Sequence, residues 1–93
     1  MRSLERTGAF KRDFKRVMSN PRHRDVDEPL TQLLRLLLVD APLDARHHDH
    51  ALLGEWRDHR DCHVKPDLVL IYRKPNESVL QLVRLGWHSE LGL

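Results

Sequence analysis

Five consecutive apolar residues, Leu68-Val69-Leu70-Ile71-Tyr72, stand between two proline turns, Lys65-Pro66-Asp67 and Lys74-Pro75-Asn76-Glu77. An apolar run of strand length with no polar alternation leaves no side for water, so it predicts a central strand covered on both faces. Its flanks supply the neighbours. From Trp56 to Lys65 the period is two: Arg57, His59, Asp61, His63 and Lys65 share one parity, and Trp56, Asp58, Arg60, Cys62 and Val64 the other. Val79 to Leu85 reads as the returning strand. Turns this short join three consecutive antiparallel strands.

The covering layer comes from the first half of the chain. Residues 3–8 form a candidate strand, weakened by Gly8. Phe10, Phe14, Val17 and Met18 then recur at helical spacing among Lys11, Arg12, Lys15 and Arg16, which is an amphipathic helix with a basic outer face. Asn20-Pro21 ends it. A second helix is predicted to start near Asp25 to Glu28, where acids suit the positive helix N-terminus, with Pro29 in its first turn. Leu30, Leu33, Leu34 and Leu37 make its apolar stripe, widened by Leu36 and Leu38, and Pro42 stops it. Residues 41–54 have neither period and read as a loop, and Trp87 to Leu93 as a tail or short turn. The expected fold is α+β: one domain, residues 1–93, with two N-terminal helices packed on one face of a small, mainly antiparallel sheet.

Charge is unevenly placed. The net value is +2, yet residues 1–24 hold eight Lys/Arg against Glu5 and Asp13, and the remainder eight Lys/Arg against twelve Asp/Glu. A basic head attracts phosphate, although a solvated helix face would look the same. The lone Cys62 has no intramolecular disulfide partner, and no stretch of 18 apolar residues or secretory apolar segment is present. A cytoplasmic protein without a membrane role is expected.

Histidine carries the chemical signal. Six of the seven, His47, His48, His50, His59, His63 and His88, fall in the C-terminal half. An ordinary imidazole titrates near pH 6.5 and can take or give a proton at neutral pH. Attack of a ribose 2′-hydroxyl on the adjacent phosphate needs a base, an acid for the leaving 5′-oxygen, and positive charge on the transition state. His50, His63, Asp67 and His88 lie in a loop, near a strand end, in a turn and after the last strand, so folding can bring them to one sheet surface. Arg57, Arg60 and Arg84 are near in sequence and could supply charge. Each has a plainer reading as a solvated or structural residue, which is kept for His47 and His48. His59 could pair with a carboxylate across the sheet, and Trp56 reads as a packing residue. The stretch His47-His48-Asp49-His50 matches no metal-ligand spacing, and no phosphate loop or nucleophile elbow exists. No metal or cofactor is expected.

Residues 49–72, Asp-His-Ala-Leu-Leu-Gly-Glu-Trp-Arg-Asp-His-Arg-Asp-Cys-His-Val-Lys-Pro-Asp-Leu-Val-Leu-Ile-Tyr, resemble the signature of the YafQ branch of the RelE/ParE toxin superfamily. That signature is a D-H-x-L-x-G-x-W segment, then R-[DE]-x-H-[VI]-x-P-D and a hydrophobic strand ending in Ile-Tyr. Arg84-Leu85-Gly86-Trp87-His88-Ser89-Glu90-Leu91 resembles its closing R-x-G-x-H-[SA]-x-L, and Phe10 to Arg16 its first basic helix. The resemblance implies a RelE-like fold and the toxin of a bacterial type II toxin–antitoxin pair: an endoribonuclease that cleaves mRNA in the ribosomal A site without a metal. The implied partners are a cognate antitoxin and ribosome-bound mRNA, with the toxin monomeric alone and hetero-oligomeric with its antitoxin.

The family's catalytic positions fall on His50, His63, Asp67 and His88. In the working assignment His88 is the general acid, His50 or His63 activates the 2′-hydroxyl, and Asp67 orients an imidazole or shares the base role. Arg60, Arg84 and Trp87 are candidate contacts to RNA. Gly92 stands where the family carries Phe, and Trp87 replaces a small residue, so any base-holding aromatic must differ here. Two other classes stay open. A ParE-like toxin of the same fold would inhibit DNA gyrase by binding, and a metal-dependent hydrolase would lose activity to chelator.

Overall fold

In the computed structural model, which describes residues 1–93, β1 (Ser3–Arg6) leads directly into α1 (Gly8–Met18). Thr7 makes that junction. Its hydroxyl oxygen accepts from the Phe10 N–H, capping the helix, and its hydroxyl donates to the Val83 carbonyl at 2.8 Å. A short 3-10 turn, Pro21–His23, joins α1 to α2 (Asp27–Leu38). Then come β2 (His50–Ala51), β3 (Arg60–Lys65), β4 (Leu68–Asn76), β5 (Val79–Gly86) and α3 (His88–Leu91). The sheet order is β1-β5-β4-β3-β2. Only the β1–β5 pair is parallel; the other three pairs are antiparallel. No helix is long and apolar enough to cross a membrane.

The central strand behaves as its composition requires. Leu68, Leu70 and Tyr72 of β4 face the helices and join Phe10, Val17, Leu30, Leu33, Leu37, Leu80, Leu82 and Leu85 in the main core. Val69 and Ile71 face the other way, under Leu91, Leu52, Trp56 and Val83. That second face has only a short helix and a loop above it. It is where polar groups from distant segments can meet.

One buried ion network ties α1 to β5. The β4–β5 register shifts between Ile71 and Tyr72, so Val83 and Arg84 together span one step of the partner strand. Arg84 thereby reaches Asp13, with Nε 2.7 Å from Oδ2, and the Leu85 N–H donates to the same oxygen at 3.0 Å. Arg16 supplies a further bond at 2.9 Å. Burial pushes the Asp13 carboxyl up, but the bonds from Arg84, Leu85 and Arg16 outweigh it and hold the group below its ordinary value. Its stabilising contribution is therefore present above the ordinary carboxylate pKa of about 3.9 and lost on acidification below it. Asp13→Ala, which strands Arg84, is expected to cost about 3–5 kcal/mol at pH 7 in urea unfolding, with the gap closing towards pH 3.

Three expectations need correction. The period-two segment from Trp56 does not become strand until Arg60, because Gly54–Trp56 forms a 3-10 turn and Asp58 adopts φ 69°. The segment 41–54 is not all loop: His50 and Ala51 pair with Asp61 and Arg60, closing the sheet edge as β2. β4 continues past Lys74 to Asn76. Pro75 is tolerated there because the pairing with β5 is irregular between Arg73 and Asn76, where its missing N–H costs no regular ladder bond.

Candidate active site

The β2–β3 pairing sets His50 opposite Asp61. Asp61 and His63 share one parity of β3 and lie on the sheet face away from α1 and α2, while Cys62 and Val64 enter the main core. His88 arrives from the far side of the sheet, as the first residue of α3 directly after β5. The His63 and His88 rings meet edge to face, with centroids 5.1 Å apart. His48 closes on the other side of His63 at 5.2 Å. Two of the four predicted residues are thus in direct contact, and His50 is linked to them through Asp61.

Two of these imidazoles are held by backbone carbonyls at Nδ1. His50 Nδ1 lies 2.7 Å from the His48 carbonyl, and His63 Nδ1 lies 3.2 Å from the Pro66 carbonyl. A carbonyl only accepts, so these contacts place an N–H on each Nδ1 and leave Nε2 as the ring nitrogen available to substrate. His48 adopts φ 47°, a left-handed conformation uncommon for a residue with a side chain, immediately before the Asp49–His50 segment it helps to orient.

Asp61 is the hub. It is 1% exposed, and burial pushes its carboxyl above the ordinary range, partly opposed by His50, His88 and His63 in that order. His50 Nδ1 comes within 3.1 Å of Asp61 Oδ1, but its hydrogen is aimed at His48, so Oδ1 has no aligned donor. A buried carboxylate with an orphan oxygen facing three imidazoles is costly for stability and typical of a site arranged for chemistry. Reading the sequence alone missed it as a site residue. Its shared parity with His63 was the available signal, but its place opposite His50 depends on the pairing with β2.

Asp67 lies at one side of this cluster. Its Oδ2 is 3.1 Å from Arg22 Nη2 and 3.3 Å from Nε2 of the buried His23, neither of which was singled out from the sequence. The His23 ring packs against Trp87, with centroids 5.7 Å apart. The two arginines proposed for phosphate are each engaged by a carboxylate: Arg60 by Asp49 at 3.2 Å, and Arg84 by Asp13. Tyr72 donates its hydroxyl to Asp49, reinforcing the first of these. Beside His63, a groove of about 510 Å³ runs between α2 and β3, with Arg46, His47 and Lys65 on its rim and Leu33 and Leu36 on its floor.

The arrangement offers proton acceptors and donors. It offers no covalent nucleophile: the Cys62 thiol is in the core, where burial pushes its pKa far up and leaves it inert. No group of three or more His, Cys, Asp or Glu side chains is placed so that it could hold a metal ion.

Known proteins show the same architecture. A curated relative, the mRNA interferase toxin YafQ of Escherichia coli K12, is 38% identical over 91 residues, covering 97% of this chain and 95% of its own. A copper-bound mutant toxin from Helicobacter pylori superposes with TM-score 0.89 at 38% identity, covering 98% and 99% of the two chains. YafQ in the E. coli DinJ–YafQ toxin–antitoxin complex superposes with TM-score 0.79 at 37% identity, covering 97% and 96%. The family described as "Bacterial toxin of type II toxin-antitoxin system, YafQ" matches residues 2–92. With the family model matching residues 2–92 and near-complete coverage of a relative at 38% identity, the chain belongs to the YafQ family of bacterial type II toxins.

Proposed function

We propose that this toxin is an endoribonuclease that cleaves mRNA on the ribosome by proton transfer alone, within the His50–Asp61–His63–His88 cluster. The observation that carries the reading is the convergence of His50, His63 and His88 on one buried carboxylate, Asp61, with the His63 and His88 rings in contact. Nε2 of His50 takes the proton of the 2′-hydroxyl as that oxygen bonds to phosphorus. The bond from phosphorus to the 5′-oxygen breaks, and His88 protonates the leaving oxygen, giving a 2′,3′-cyclic phosphate and a free 5′-hydroxyl. Ionised Asp61 balances the imidazolium formed. His63, pinned through Nδ1, holds His88 in place. Asp67 orients the turn that supplies the Pro66 carbonyl.

Arg46 and Lys65, which line the groove beside His63, supply positive charge that favours RNA next to the cluster. Arg60 and Arg84, held by their carboxylates, act on RNA through position and field. Trp87 stands beside His88 as the aromatic element of the site in place of the family's Phe. A cognate antitoxin binds and silences this toxin; a protein partner of that kind is seen in the E. coli DinJ–YafQ toxin–antitoxin complex.

Mapping 5′ ends on translated and on naked mRNA tests the reading. Wild type is expected to leave new 5′-hydroxyl ends on translated message only, in the presence of chelator, and His50→Ala to reduce them about 100-fold or more. Intact message together with blocked gyrase supercoiling would refute the nuclease reading.

A further inference from the structure

His23 is buried, yet neither ring nitrogen has a hydrogen-bond partner. Its Nε2 faces Asp67 Oδ2 across 3.3 Å; that oxygen is also buried and, although Arg22 Nη2 lies 3.1 Å away as an ion-pair partner, it accepts no aligned hydrogen bond. Leaving two complementary polar atoms unbonded this close is unfavourable, and a small adjustment of the Pro66-Asp67 turn would join them. The far side of the same ring packs on Trp87. His23 therefore touches both segments that carry the proposed chemistry: the β3–β4 turn, whose Pro66 carbonyl holds His63 Nδ1, and the β5–α3 junction, whose next residue is His88.

We propose that His23 is a positioning residue: its Nε2–H donates to Asp67 Oδ2 when RNA engages the site, locking the turn and the Trp87–His88 corner in the geometry that cleaves. The inference rests on the nuclease reading of this site and deepens it. Catalytic hydrogen bonds are often long before substrate arrives and tighten in the complex, which fits a 3.3 Å approach without alignment. The charged groups around the ring are Asp67 and Arg22 on one side, and Asp25, itself paired with Lys65, on the other. His23 belongs to the loop between the helices, so this contact also makes the helical layer part of the active site.

The test compares His23→Leu, His23→Gln and Asp67→Ala in single-turnover cleavage of translated mRNA, with folding checked by urea unfolding. His23→Leu is expected to lower the maximal rate about tenfold or more without raising the toxin concentration for half-maximal rate. His23→Gln, which keeps a side-chain N–H, is expected to stay within about threefold of wild type. In an Asp67→Ala background, His23→Leu should cost nothing further. Folded His23→Leu at wild-type rate, or His23→Gln as slow as His23→Leu, overturns the proposal. A readout independent of cleavage is the His23 ring nitrogen spectrum with a non-cleavable 2′-deoxy analogue bound. An Nε2–H signal that shifts on binding in wild type and not in Asp67→Ala supports the role, and an indifferent signal refutes it, whether or not the wild type cleaves RNA. It also decides the matter if His23→Leu does not fold. Loss of all cleavage by wild type, with the nitrogen shift intact, would instead remove the nuclease reading and leave the His23–Asp67 contact standing.

Discussion

Replacing His88 with Ala lowers single-turnover cleavage by about 10²–10⁴-fold while the protein unfolds at the same urea concentration as wild type. The two halves of this expectation have separate causes. His88 is exposed on the first turn of a four-residue helix, where its ring meets His63 edge to face, so truncation removes little packing. The leaving 5′-oxygen, by contrast, departs poorly as an alkoxide, and a positioned proton donor is the main help this site can give it. Growth arrest after induction gives the same reading in cells: at equal expression, cells carrying His88→Ala keep growing. Full arrest by this variant would count against the acid role.

Asp61→Asn separates stability from activity. The Asp61 carboxyl is raised chiefly by burial, so its protonated form is the one the fold favours. Any contribution it makes to stability is then complete below the ordinary carboxylate range and is lost as pH rises through the raised folded value. At pH 7 the ionised group, with Oδ1 lacking an aligned donor, is a burden. The amide carries no charge, so urea unfolding at pH 7 is expected to show a variant as stable as wild type or better by about 1 kcal/mol, with the gain vanishing near pH 4. Cleavage is expected to fall about 100-fold, equivalent to about 2.7 kcal/mol of transition-state stabilisation, because nothing then balances the imidazolium on His50. Opposite signs in the two measurements would identify a carboxylate retained for chemistry at the expense of stability. A large loss of stability would mean that Asp61 is structural.

The fold was legible wherever the pattern is local. The unbroken apolar run at Leu68–Tyr72, the leucine stripe of α2 and the basic face of α1 each state their own burial, because the backbone period fixes which side chains share a face. The motif likeness from Asp49 to Tyr72 carried the family and pointed to His50, His63 and Asp67 as candidates, and the likeness from Arg84 to Leu91 added His88. Misjudged boundaries fell where tertiary contacts overrule period: at Asp58, held left-handed, and at Pro75, admitted by an irregular ladder.

The amino-acid sequence by itself therefore determined the two layers, the consecutive strands, the family, and the residue types available for proton transfer. Only the tertiary structure decided which carboxylate those imidazoles surround. Asp61 has His50 beside it because the two-residue strand at His50 pairs across it, and His23 meets Asp67 because the loop between the helices folds over a turn more than 40 residues away in the chain. Those neighbours arise from strand register and layer packing, which no local period encodes.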